Sequence, residues 1–477
     1  MFEDARKRWW ALYVLCSGVL MIVLDTTIVN VALPSIREDL RFSETSLVWV
    51  VNAYMLTFGG FLLLGGRLGD LFGHRRLFLL GLILFTLASI GCGIATSREM
   101  LITARAVQGL GGAVVTAVAL SLIMNLFTEN AERAKAMGIY GFVCSAGGSV
   151  GVLLGGFLTT TLNWHWIFLV NVPIGALVYF ACMRLLPHAR GPATGATLDV
   201  GGAITVTAAL MLAVYAIVNG HEVGWTSTQT VLTLGGAIAL LVAFLVIESR
   251  VKEPLMPLAI FKLRNVATAN IAGVLWAAAM FAWFFISALY LQLVLGYNAM
   301  QVGLSFLPAN IIMAAFSLGL SAKIVVRFGI RGPLAFGLLC AGCGLALFAR
   351  APLDGHFWMD VFPGMTLLGI GAGIAFNPLL LGAMSDVQPS ESGLASGVVN
   401  TAFMMGGALG LAVLASVAAA RTDGLVASGA SQVAALNGGY QLAFVLGAAC
   451  AATAGILGGV FMRTRVGPAG ASAPAAH

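Results

Sequence analysis

Apolar residues occupy this chain in long blocks separated by short polar breaks. A helix needs about 20 mostly apolar residues to cross the hydrocarbon of a bilayer, whereas a barrel strand shows about 10 residues of strict alternation. The blocks here are of helix length and do not alternate. Bounded by charge clusters and Gly, Pro or Asn turns, they predict fourteen spans, near residues 11–35, 47–69, 77–96, 101–125, 135–160, 166–186, 199–219, 230–248, 268–292, 301–322, 331–350, 360–383, 393–419 and 439–462. Composition agrees: 60% of the 477 residues are hydrophobic and 9% are charged, against roughly 25% charged in a soluble globular chain. The run after Trp10 is too long for a cleavable signal and has no small-residue cleavage site, so it is expected to stay as the first span.

Fourteen spans return both termini to one side, and basic residues show which side. Of the 25 Lys and Arg residues, nineteen fall on the segments that share a side with the N-terminus, five fall opposite, and Arg105 lies within a span. Both termini are therefore expected in the cytoplasm and the chain in the inner (plasma) membrane. The net charge of +6 then reads as topology and contact with anionic lipid, not as nucleic-acid binding.

Several chemistries lack support. All seven cysteines fall in predicted spans, which argues against a disulfide framework, and Cys340 and Cys343 read as small residues for helix packing rather than a redox pair. No His, Cys and Glu cluster suggests a metal site. None of the Gly-rich stretches reads G-x-x-x-x-G-K-[ST], so nucleotide hydrolysis is not indicated. No enzyme activity and no cofactor are expected, and any transport must draw on a gradient.

The stretch FGHRR, residues 72–76, closes the turn after the second span, and FGIRG, residues 328–332, closes the turn after the tenth. Both turns face the same side, as two bundles of parallel orientation require. GGRLGDLFGHRR, residues 65–76, resembles the signature after the second span of the major facilitator superfamily. LDTTIVNVALPSI (24–36), WVVNAY (49–54), RAVQGLGGA (105–113), WHWIFLVNVPIG (164–175), HEVGWTS (221–227), YLQLVLG (290–296) and GLASGVVN (393–400) are similar to the fourteen-span drug:proton antiporter branch. That resemblance implies an all-α membrane fold: a six-helix bundle over 1–190, two inserted helices and a linker over 191–265, a second bundle over 266–465 and a disordered tail over 466–477. The chain also departs from the pattern. Leu71 and His74 stand where basic residues are usual, Val152 replaces the proline of the fifth-span antiporter motif, and Met404 and Met405 stand where Arg and Gln are common. Without that proline, bending of the fifth helix is expected to rest on Gly147, Gly148, Gly151, Gly155 and Gly156.

The sharpest chemical signal is Asp25, an acid inside the first span. It lies about 15 residues past Trp10, or about 22 Å along a helix. An ionised carboxylate at such depth costs at least about 2.5 to 3.5 kcal/mol, so it should face a cavity or a partner. Burial penalises the charged form, and an acid that binds and releases a proton is what a proton-coupled carrier needs. It could also hold a cationic substrate in competition with the proton, or serve only as a neutral acid pinning helices. Arg105 lies about 10 Å below the outer surface, in the same half of the membrane. The resemblance implies a proton-coupling role for it, with its approach to and retreat from Asp25 tying protonation to conformation.

The signature further implies a conformational latch of Gly66, Asp70, Gly73, Arg75 and Arg76, with Asp70 docking on a helix N-terminus of the other bundle. Candidate cavity residues are Asn52, Tyr54, Gln108, Trp276, Phe281, Phe284, Tyr290, Gln292, Asn310, Asn377 and Asn400, the aromatics by cation–π stacking with lipophilic cations. The expected protein is a proton-coupled exporter of drugs or lipophilic and cationic small molecules, working by alternating access, monomeric, and with small molecules, protons and lipid as its partners. Two alternatives stay open: a proton-coupled importer of a nutrient or organic anion, and a non-transporting scaffold or receptor. An anion importer would be expected to carry several cavity cations. A scaffold should tolerate neutralisation of both Asp25 and Arg105.

Overall fold

The computed structural model describes residues 5–127, 129–186, 199–251, 254–384, 387 and 392–463. The tail at 466–477 and the segment 187–198 lie outside them. Fourteen helical stretches follow in order. They are α1 (Ala5–Leu40), α2 (Val48–Phe72), α3 (His74–Gly93), α4 (Arg98–Leu126), α5 (Asn130–Thr161), α6 (Trp166–Leu185), α7 (Val200–Val223) and α8 (Thr228–Arg250). Then come α9 (Arg264–Val294), α10 (Ala299–Ala315, continuing to Phe328), α11 (Arg331–Phe348), α12 (Phe357–Met384), α13 (Ser392–Ala427) and α14 (Gln432–Phe461). Thirteen of these are long and apolar enough to span a bilayer, and α10 carries a shorter apolar piece. The protein is a multi-pass membrane protein.

Local chemistry sets the helix ends. Ser97, Ser227 and Ser431 cap α4, α8 and α14 by accepting from backbone N–H groups, and Asn298 with Gln301 forms a capping box on α10, which satisfies donors that the first turn leaves free. The repeated F-G-x-R turns have a shared physical basis. Gly73 (φ 93°) and Gly329 (φ 76°) each stop a helix in a conformation that residues with a Cβ avoid. The expected span at 301–322 is not one regular helix. Its α-helical turns give way to a π segment at Phe316–Leu320, where Gly319 turns to φ 117°.

The packing repeats. In the first bundle α1 packs on α4, α5 and α6, α2 on α4, and α3 on α4 and α6; the same relations hold eight helices later among α9 to α14. The bundles meet through α2 on α13 and α5 on α10, a pseudo-twofold exchange, while α7 wedges against both α2 and α13. On the face opposite the termini the join is tight. Asn52 Nδ2 donates to Ala408 O (2.8 Å) and Gln292 Nε2 donates to Val31 O (3.0 Å). The α5 glycines serve this packing, and α5 runs as one helix through them. Gly147, Gly148, Gly151 and Gly155 bring it against α1, and Gly156 meets Ala299 and Met300 of α10. Gly303 of α10 repays the contact: a Cβ there would lie 2.9 Å from Val152 O.

Replacing Gly303 with leucine should therefore hold the bundles apart on that face. In a chain carrying Asn52→Cys and Ala408→Cys, Gly303→Leu is expected to lower the cross-linking yield several-fold while the protein still inserts in the membrane. An unchanged yield would show that the α5–α10 crossing does not set this closure.

Candidate functional site

Asp25 lies midway along α1 and Arg105 near the start of α4. Helix packing places them face to face inside the first bundle. Arg105 Nη1 donates to Asp25 Oδ2 at 2.5 Å, and neither residue is more than 1% exposed. The pair is held from several sides. Arg105 Nη1 also donates to Gln108 Oε1 (2.7 Å), and Arg105 Nε donates to Val50 O on α2 (2.9 Å). Asp25 Oδ1 accepts from Gln108 Nε2 (2.7 Å) and from Asn171 Nδ2 of α6 (2.9 Å). Gln108 Nε2 reaches Ser89 Oγ of α3 (2.9 Å), which itself donates to Phe85 O (2.9 Å). Tyr54 and Phe168 flank the guanidinium, with ring centroids 4.4 and 5.6 Å from Cζ. One charge pair thus gathers five helices, which is what a buried pair requires, since charge in a low dielectric is tolerated only when its remaining valences are filled.

A cavity of about 760 Å³ runs from the middle of the bundles to the face that carries the helix termini. Ile22, Val23 and Thr26 of α1, Phe58 and Leu62 of α2, Thr116 and Leu120 of α4, Tyr140 of α5, and Asn400 and Met404 of α13 line it; Arg67, His74 and Asn125 sit toward its mouth. No carboxylate lines it among the described residues. Asp25 shares α1 with Ile22 and Thr26 but turns the other way, into the bundle. It has a partner and does not face this cavity.

The candidate cavity residues divide accordingly, and Asn400 alone of them lines this space. Gln108 and Tyr54 belong to the ion-pair shell. Asn52 and Gln292 tie the bundles together. Trp276 is buried within the second bundle, Phe281 packs on Phe403 and Phe284 stacks on Phe306. Tyr290 Oη donates to Pro352 O (2.9 Å), Asn310 is buried and Asn377 half-buried. These side chains were drawn toward helix–helix packing because an apolar stripe looks the same whether it lines a cavity or a neighbour. Of the latch residues, Gly66 lines the cavity, Gly73 makes the turn, Arg75 Nη2 donates to Met183 O within its own bundle (2.6 Å) and Arg76 is exposed. The Asp70 side chain lies outside the described residues. The sequence alone does not single out Val50, Ser89 or Asn171. Asn171 and Ser89 carry one weak signal, a polar side chain inside a span, and Val50 contributes only its carbonyl.

Residues 15–411 match the profile of the Major Facilitator Superfamily. The chain is 38% identical over 465 residues to a puromycin resistance protein of Streptomyces alboniger, covering 96% of this chain and 92% of that one. It is 40% identical over 424 residues to a cephamycin export protein of Amycolatopsis lactamdurans (88% and 87%), and 36% identical over 422 residues to a lincomycin resistance protein of Streptomyces lincolnensis (87% and 85%).

Removing one side of the pair should be worse than removing both. Arg105→Met leaves a buried acid, and Asp25→Asn a buried guanidinium, without its counter-charge, and each is expected to cost about 3 to 5 kcal/mol. The double variant, which removes both charges, should cost clearly less than the two single losses added together. Thermal unfolding in detergent checks this, and strictly additive losses would mean that the two charges are not coupled.

Proposed function

The chain belongs to the Major Facilitator Superfamily, and we propose from that premise that it exports lipophilic drugs or antibiotic-like molecules across the plasma membrane in exchange for protons. The observation that carries this is the double use of α1. One face of that helix lines the cavity and the other holds Asp25 on Arg105, so any shift of α1 that follows a change at the acid also reshapes the cavity wall.

The cycle can be derived from these contacts. With the bundles joined on the face opposite the termini, the cavity is open toward the terminal face, which the basic-residue bias assigns to the cytoplasm. Drug enters among apolar side chains with Thr26, Asn125 and Asn400 as its polar contacts. When the bundles rock and the outer face opens, a proton arriving at Asp25 neutralises the carboxylate. Arg105 loses its counter-charge and keeps Val50 O and Gln108 Oε1. Drug leaves outward, and release of the proton inward lets the pair close again. The energy comes from the proton gradient; the reading calls for no cofactor and no covalent chemistry, and a monomer suffices.

The names of the relatives, puromycin resistance, cephamycin export and lincomycin resistance, support outward transport over import. The cavity lining supports lipophilic substrates held mainly by shape and apolar burial rather than by a counter-charge.

Transport into inverted vesicles with an imposed pH gradient tests the reading. The intact chain should accumulate drug when the lumen is acid. Asp25→Asn should still bind drug yet fail to respond to the gradient. A gradient response that survives in Asp25→Asn would remove proton coupling through this site. A second test addresses the cavity: Met404→Trp should fill part of it and weaken drug binding about tenfold, equivalent to about 1.4 kcal/mol, without changing the pH dependence of the remaining transport.

A further inference from the structure

The inserted hairpin holds a second pair of acids that the scheme above does not use. Asp199 precedes α7 and Glu248 ends α8. Each is 3% exposed. One oxygen of each is occupied: Asp199 Oδ1 accepts from Gly202 N (2.7 Å), and Glu248 Oε2 accepts from Met256 N (3.0 Å). The other two, Asp199 Oδ2 and Glu248 Oε1, have no partner among the described residues. Both lie over Gly202, where an added Cβ would come within 2.8 Å of Glu248 Oε1 and nearer still to Asp199 Oδ2. Two bare acceptors buried over the same glycine repel unless a proton lies between them.

We propose that Asp199 and Glu248 form a proton-binding site, separate from Asp25 and Arg105, whose single shared proton holds the linker at 254–257 across the cavity mouth. The proton sits on Glu248. Asp199 is the acceptor that caps the N-terminal amides of α7 through Gly202 N, whereas Glu248 stands by the carbonyl end of α8, where negative charge is disfavoured. Because Oε2 already accepts from Met256, the proton is on Oε1 and is donated to Asp199 Oδ2. Two spare oxygens are too few for a hard divalent cation, which takes about six to eight.

Among the described residues the two acids of the hairpin face each other without a basic partner. Asp199 is the charged group that bears on Glu248 among the described residues. Arg67 of α2 donates to Pro254 O (2.9 Å), Arg250 is exposed, and the charged residues of α13, Arg421 and Asp423, are at its far end. Lys252, Glu253 and the Asp70 side chain lie outside the described residues. Through Met256 N the acid grips the linker, and Leu255 seats between Leu64 and Ala203 while lining the cavity. Loss of the proton leaves two buried carboxylates in contact, frees Glu248 and unseats Leu255. The proton site stands on geometry alone; its effect on drug access rests on the carrier reading.

Infrared difference spectra recorded against pH on the intact protein should contain a protonated-carboxyl band that persists in Asp25→Asn and disappears in both Glu248→Gln and Asp199→Asn. Either amide donates across the same gap, so both variants should stay folded. With Leu255→Cys in inside-out vesicles, labelling by an impermeant maleimide should rise several-fold from acid to alkaline pH, and stay flat and low once Glu248→Gln is added. A band unaffected by either variant, labelling that ignores pH, or a band abolished by sodium at fixed pH would overturn the proposal, the last in favour of a cation site. Loss of gradient-driven transport in Asp25→Asn with this band intact would separate the two proton sites.

Discussion

A guanidinium and a carboxylate shut away from water hold the first bundle together. Neither charge would be tolerated alone, and mutual attraction does not by itself repay the loss of hydration. What makes the pair stable is completion: both carboxylate oxygens of Asp25 are occupied, and the guanidinium is shared among Asp25, Gln108 and the Val50 carbonyl while lying over the Tyr54 ring. The same completeness makes the site responsive. Adding one proton to Asp25 removes the charge that every other member is arranged around, so a local event bears on α1, α2, α3, α4 and α6 together.

The two bundles repeat each other's packing yet divide the work. The first holds the ion pair and supplies most of the cavity wall, while the second contributes Gly397, Asn400 and Met404 of α13 to that wall. Small residues at the crossings allow this. Gly156 and Gly303 bring α5 and α10 to backbone contact, and at the other crossing Gly59 of α2 lies against Met404 and Met405 of α13 while Gly397 lies against Leu63.

The inserted hairpin is more than a spacer. Its helix α7 lies in the groove between α2 and α13, the crossing that must change when the cavity changes access. The chain leaving α8 then turns back to place Leu255 in the cavity wall and Pro254 O on Arg67. The insert is therefore mechanically joined to the mouth of the cavity.

Much of this was legible along the chain, because membrane insertion is judged segment by segment: about 20 apolar residues either partition into lipid or do not, and the basic residues between them bias orientation. The fourteen spans, the repeat marked by Gly73 and Gly329, and the cost of a charge at Asp25 all follow from such local terms. The partners of that charge do not. Asn171, Ser89 and Val50 reach the pair only because α6, α3 and α2 close around α1 and α4, and nothing in their own neighbourhoods announces it. The same holds for Asn52 and Gln292, which reach across to the opposite bundle, and for Asp199 and Glu248, some fifty residues apart in sequence. The cost of burying a polar group is a local property that sequence displays; which atom satisfies it is decided by packing between distant segments.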